Sequence, residues 1–419
     1  MNNVRNACSQ GRSALRPRLL IIELDYHAEV LTSLCPILAE RFDLVLWTTD
    51  KIWRKTGLSE SLFAGLLVMP KKQSVERFWK AHEACLRAVD FVYFNTLEKH
   101  FAFFSRTNFS CPTVMRIHNT NASLFPLSSI SWTFHSARKL FSYVLWRVLL
   151  CRVWQYRERL YRNMSLLMLP SEGVLARMGP AVRASGFHNI SDYCLPFSSL
   201  GDVQPAARND RVVFAVTGSV DEQRKDYDVL FQALTELKKA RPEIRMEMIF
   251  LGWAKHERAK KVLQRFSELA DEQLKLTSFC NYVSDDDFAA QMARVHFLIA
   301  PMKLCACHKI HREYYGQTKI SGLENDSLRY RKPVIVPQDY TLPQDLNRIA
   351  LAYSDGRSLC DAMIKMIDED HWRTLTDRFN DLHNYQRAAI AANFYELLQK
   401  LTRQNQPFSQ PVPAFGGHL

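Results

Sequence analysis

The chain has 419 residues, 47% of them hydrophobic and 23% charged, which makes room for two or three globular domains and excludes disorder as the main state. Its 14 Gly and 17 Pro follow no short period, which excludes collagen-like and low-complexity architectures; ten Cys are too sparse for a disulfide scaffold, so Cys35, Cys85, Cys151 and Cys194, in or beside apolar runs, read as free thiols of a reducing cytosol. The formal charge of +12 sits in the first half: residues 1–200 carry 25 Lys+Arg against 14 Asp+Glu and residues 201–419 carry 30 against 29, so the first half is expected to face a polyanion or an anionic membrane.

Residues 1–16 read as a disordered basic tail without the apolar core or cleavage site of a signal peptide. Short aliphatic or aromatic runs at 18–23, 44–48, 91–95, 113–117 and 165–170 predict strands. Between them, 28–40 carries Val30, Leu31, Leu34, Ile37 and Leu38 at helical spacing, and 75–88 does the same less cleanly. Such alternation predicts a parallel, doubly wound sheet. Segment 131–163 then sets Arg138, Lys139, Arg147, Arg152, Arg157, Arg159 and Arg162 against the single acid Glu158, interleaved with Trp132, Phe134, Phe141, Tyr143, Trp146 and Trp154. On a helix these residues suit an anionic bilayer surface; a core helix with a solvated basic face is the alternative, and nucleic acid is not expected because no recognised binding motif accompanies the charge. No apolar run reaches the roughly 18 residues of a membrane span.

Residues 201–210 are polar and aperiodic, as in a linker, and the alternation restarts after them. Strands are predicted at 211–216, 245–251, 274–279, 295–301, 334–336 and 350–353, and helices at 226–239, 255–269, 285–293, 323–330 and 358–367. Ligands of such sheets collect at the C-terminal ends of the strands. There Gly218 is followed by Arg224-Lys225 at a helix start, a combination that suits a diphosphate: glycine admits the anion to the backbone, the helix start is partly positive, and two cations neutralise the charge. Lys319, Ser321 and Gly322 repeat it before the helix at 323–330. His27 and His118 follow strands of the first half, at the C-terminal ends where a cleft would lie. Cys305, Cys307, His308 and His311 are four potential metal ligands in seven residues, yet no second pair lies at finger-like spacing, so no metal is expected.

Taken in order, Gly218, the pair Arg224-Lys225, Phe250-Leu251-Gly252, the acidic helix start at 284–287, Phe297 to Pro301, and the acidic helix leading into Pro333-Val334-Ile335 resemble the C-terminal domain of GT-B glycosyltransferases, in particular glycosyltransferase family 4, over residues 211–336. The resemblance implies an α/β protein of two doubly wound domains facing each other across a cleft. Residues 17–200 would bind the acceptor, 211–383 the nucleotide sugar, 384–404 would form a helix returning to the first domain, and 405–419 a tail. It implies transfer from a nucleotide diphosphate sugar to a glycan or lipid-linked acceptor, at the cytoplasmic face of a membrane, with no cofactor. Arg224, Lys225 and Lys319 would neutralise the diphosphate, His118 would contact the donor, and His27 would serve as base in an inverting reaction. With Pro333 aligned, the family's two glutamates fall on Thr318 and Asp326, with Glu313 and Glu324 nearby but out of register. The resemblance favours retention; a catalytically degenerate binding module and a nucleotide-sugar epimerase of similar fold are the alternatives.

Overall fold

The computed structural model describes residues 16–131, 152–207, 210–368 and 370–405, together with 141 and 144. Strands β1 (Arg18–Glu23), β2 (Asp43–Thr49), β3 (Gly65–Met69), β4 (Phe91–Thr96), β5 (Thr113–Arg116) and β6 (Leu166–Met168) pair in parallel in the order β3-β2-β1-β4-β5-β6. A parallel sheet is covered on both faces, so its strands are apolar along most of their length, with polar residues at their ends. In β1 successive side chains enter opposite cores: Leu20 and Ile22 meet Trp47, Phe78 and Phe94, whereas Leu19 and Ile21 meet the helix Ala28–Leu38. Ile390, Ala391, Phe394 and Leu398 of the last helix, Arg387–Asn405, complete that second core, so the end of the chain seals the first sheet.

The second half repeats the plan with β7 (Val212–Thr217), β8 (Met246–Trp253), β9 (Leu274–Phe279), β10 (Phe297–Ile299), a hairpin of β11 (Cys305–His308) and β12 (His311–Tyr314), then β13 (Val334–Pro337) and β14 (Ala350–Tyr353). Its parallel sheet runs β14-β13-β10-β7-β8-β9, and the hairpin stands outside it. Helices start where a side chain caps the first free amides: Asp226 accepts from Val229 N at 3.3 Å, Ser284 from Asp287 N at 3.1 Å and Ser321 from Leu323 N at 3.3 Å. Two six-stranded, doubly wound sheets joined in this way are the GT-B architecture expected from the sequence.

The chain crosses between the sheets twice. Arg116, 3% exposed at the end of β5, donates Nη2 to Leu195 O at 2.8 Å and lies on the Phe197 ring at 4.0 Å, which fixes the first crossing. Leu200 N then donates to Tyr385 O at 2.8 Å, tying the first crossing to the second. Gly201 passes so near the end of the helix Gly322–Tyr330 that a Cβ would lie 1.8 Å from Arg329 O.

Three sequence expectations are revised. Strand β3 and the hairpin are additions to the strands that the sequence predicts, the hairpin falling on the stretch of potential metal ligands. Cys85 is disulfide-bonded, which corrects its reading as a free thiol. Much of the basic and aromatic segment lies outside the described residues. Within its described part, the helix Val153–Asn163 buries Leu160 and Tyr161, and Arg162 is spent on Glu158 Oε1 at 2.9 Å and Gly186 O at 2.8 Å. No helix among the described residues is long and apolar enough to cross a membrane.

Candidate functional site

Each sheet reverses its strand order once, between β1 and β4 in the first and between β10 and β7 in the second, and the crevice beyond such a reversal is where doubly wound sheets hold ligands. At the first reversal, Glu23 ends β1 with no exposed surface. Its Oε1 accepts from Asp25 N at 3.0 Å and Tyr26 N at 3.1 Å, and its Oε2 from Asn95 Nδ2 at 2.7 Å. Burial raises its pKa against those donors. The carboxylate thereby shapes the turn that presents His27.

His27 stacks on His118, with centroids 4.3 Å apart and planes 11° from parallel. Nε2 of His118 lies 2.7 Å from Asn95 O, an atom that only accepts, so Nε2 carries the proton. Thr96 Oγ1 is 3.0 Å away on the same nitrogen. Burial, then the neighbouring His27 and Arg116, hold the His118 pKa well below the usual imidazole value, so the lower ring of the stack is neutral. His27 Nδ1 lies 2.8 Å from Glu29 Oε1, which orients the ring with Nε2 as the remaining nitrogen. Asp25 takes no part in that: its Oδ2 accepts from Glu98 N at 2.7 Å across the β1–β4 reversal.

At the second reversal Gly218 follows β7 at φ 79°, a left-handed conformation natural to glycine. Gly252 packs behind it so tightly that a Cβ there would lie 2.2 Å from Gly218 O. The two cations expected at this turn behave differently. Arg224 is exposed, with Nε on Asp221 Oδ2 at 2.6 Å and Nη2 on Ser219 Oγ at 3.1 Å. Lys225, expected to be an exposed cation, instead turns inward and donates its three ammonium protons to Thr217 O and Gly218 O at 2.8 Å and Ser219 O at 3.0 Å. Burial, then Arg224, lower its pKa to about 7. Lys225 therefore braces the loop, and Arg224 is the cation left facing outward.

Asp326, far away in sequence, is brought to the same place: it accepts a hydrogen bond from Thr217 and faces Lys225, with a pKa pushed up to about 6 by burial. Tyr315, which sequence reading passed over, joins the rest. It bonds Arg224, and the Lys319 ammonium lies 4.8 Å from its ring centroid. Ser321 caps the helix Gly322–Tyr330, and a Cβ on Gly322 would meet nothing within 4 Å, so that helix begins in open space. Gly218, Arg224, Lys225 and Asp326 thus form one cluster, with Lys319 at its edge through Tyr315. Two further aromatics stand exposed at neighbouring strand ends, Trp253 (36%) as the last residue of β8 and Tyr282 (76%) beyond β9.

The two halves also meet beside these clusters. Thr120 N, two residues past His118, donates to Thr318 O at 2.9 Å, next to Lys319. Glu313, with no exposed surface, accepts from Ala122 N at 2.7 Å and from Thr318 Oγ1 at 2.5 Å, and burial pushes its pKa up to about 7. The register that put Thr318 where the family has an acid therefore misses a carboxylate in direct contact with it. The hairpin extends the joint, through Ser131 N to Ile310 O and Arg312 N to Ser129 O, both 2.8 Å, and the Lys309–Glu98 ion pair. Cys305 and Cys307 are exposed on β11 and His311 is buried opposite His308, and no group of three His, Cys, Asp or Glu able to hold a metal occurs among the described residues.

By sequence the chain matches no family model and no curated protein. Its fold matches solved structures. It is similar to the N-terminal domain of Candida albicans trehalose-6-phosphate phosphatase, with a TM-score of 0.59 and 9% identity over 94% of this chain and 98% of that one. It is similar to a trehalose-6-phosphate structure from E. coli bound with UDP-2-fluoro glucose, with a TM-score of 0.56 and 8% identity over 91% and 99%. A mutant O-GlcNAc transferase from Thermobaculum terrenum gives a TM-score of 0.55 and 12% identity over 93% and 68%. These likenesses establish the GT-B fold, and none of them establishes membership of glycosyltransferase family 4.

Proposed function

We propose that the protein is a glycosyltransferase that takes a sugar from a nucleotide diphosphate donor and passes it to a hydroxyl acceptor held by the first domain. The observation that carries this reading is the convergence of Gly218, Arg224, Tyr315 and Lys319 beside the open helix start at Gly322, at the one strand reversal of the second sheet. Two cations and a helix start suit the diphosphate leaving group, where most of the negative charge develops. Trp253 and Tyr282 offer ring faces on which a nucleobase can stack. The structural neighbour bound with UDP-2-fluoro glucose supports a sugar nucleotide as the donor class.

The His27–Glu29 pair supports an inverting reaction over the retention suggested by sequence resemblance. His27 Nε2 takes the proton of the acceptor hydroxyl while that oxygen bonds the anomeric carbon; the bond from this carbon to the diphosphate breaks, and its electron pair leaves with the diphosphate towards Arg224 and Lys319. Glu29 stabilises the imidazolium, and a neutral His118 beneath it spares the base a second adjacent cation. A lipid-linked glycan as acceptor is supported by the excess of cations in residues 1–200. Calorimetric titration of the full chain with nucleoside diphosphates differing in base, then turnover with the sugar nucleotides of the best binder, tests the reading. Binding of at least one diphosphate is expected, and absence of binding across the panel overturns it.

A further inference from the structure

A cavity of about 220 Å3 lies where the two chain crossings meet, walled by the end of β6, the first crossing, the helix Gly322–Tyr330 and the second crossing. It is separate from the donor cluster. Asp326 faces β7 and Lys225, whereas Glu324, two residues and therefore about 200° away around the helix axis, lines this cavity together with Asn325. At about 30 Å3 of liquid per water its volume equals roughly seven waters, the scale of one pyranose ring.

The chemistry of its wall is selective. No Lys, Arg or His lines it among the described residues, while Glu172, Glu324, Asn325 and Asn393 do, which disfavours a phosphate and favours a donor-rich neutral ligand. Tyr193 lines the cavity too, and its hydroxyl is buried with no partner among the described residues, a group that a ligand hydroxyl would satisfy. Phe197 supplies a flat apolar wall, held rigid by the Arg116 guanidinium stacked on it at 4.0 Å. We infer that this cavity is a second ligand site that takes a single neutral, polyhydroxylated ring, with Tyr193, Asn325 and Glu324 bonding its hydroxyls and Phe197 packing on its face. The inference does not depend on the donor site. Because both crossings contribute wall, an occupant contacts each domain and favours the arrangement of the two seen here.

Saturation-transfer NMR of the full chain with methyl glucoside, N-acetylglucosamine and methylammonium as separate probes, with and without UDP, tests the site. Transfer to one of the two sugars in the millimolar range, unchanged when UDP is present, is expected. Asn325→Leu should weaken that binding about tenfold, and Tyr193→Phe, which preserves packing, about threefold to tenfold, as loss of one hydrogen bond predicts. If Asn325→Leu does not fold, Tyr193→Phe decides alone. Absence of transfer to either sugar, displacement of the sugar by UDP, transfer to methylammonium in place of the sugars, or indifference to Tyr193→Phe each overturns the inference.

Discussion

A lysine and an arginine that are neighbours in sequence part company at the Gly218 turn, and the difference is measurable. Arg224→Ala removes an outward charge and should weaken nucleoside diphosphate binding by about 1.5–3 kcal/mol while leaving thermal stability near that of the parent. Lys225→Ala deletes three hydrogen bonds to loop carbonyls. It should lower the melting temperature as well as the affinity, since carbonyls left without donors carry a desolvation cost of about 1–3 kcal/mol. Calorimetry and thermal unfolding on the same two variants separate the roles. His27→Ala should lower turnover by roughly 10²–10⁴ with donor affinity retained. Full turnover in that variant excludes His27 as base, and the anomeric coupling of the product in proton NMR reports inversion or retention directly.

At the scale of elements, Gly252→Ala tests how the donor turn is built. The new methyl would lie 2.2 Å from Gly218 O, so β7 and β8 must separate at their ends. Lower donor affinity together with lower stability is expected, and an unchanged variant would show that the turn tolerates displacement. The elements that sequence reading found and those it missed differ in physical signal. Apolar runs such as Leu19 to Ile22, and helices opened by Asp226, Ser284 or Ser321, combine periodicity with a cap, and all are present in the structure. Strand β3, with Leu66, Leu67 and Met69, is built largely from residues that favour helices, and only its parallel pairing with β2 makes it a strand. The hairpin turns at Lys309 with φ 58° and no Gly or Asn-Gly, so the usual turn signature is missing. That Gly218, Arg224 and Asp326 come together was legible because all three fall in the stretch whose order resembles a GT-B C-terminal domain. Tyr315 and Glu313 were not, because their roles arise from contacts across a loop and across the domain joint.

Over the whole molecule, the domain joint and the cavity each bury a carboxyl that prefers to be neutral. Burial pushes Glu313 and Glu324 up to about 7, the first held by Ala122 N and Thr318 and the second by Tyr340. A carboxyl whose pKa is raised on folding binds its proton more tightly in the native state, so the contribution of each of these two groups to stability is greatest at acid pH and declines between about 4.5 and about 7. Each group contributes a slope of at most about 1.4 kcal/mol per pH unit. Chemical denaturation across this range should give Glu313→Gln, which keeps a neutral side chain between the domains, a less negative slope of stability against pH than the parent. A variant with an unaltered slope would show that Glu313 titrates at its ordinary value.

The return of the last helix onto the first sheet makes the covalent link between the halves dispensable. Ile390, Phe394 and Leu398 belong to the second half by sequence and to the first by packing, and the Leu200–Tyr385 bond joins the crossings directly. A chain opened between 203 and 211 is thus a pair of fragments in which the longer carries its own docking peg. Co-expressed, the two pieces should reassemble into one particle, and removal of 387–405 from the second should leave them apart.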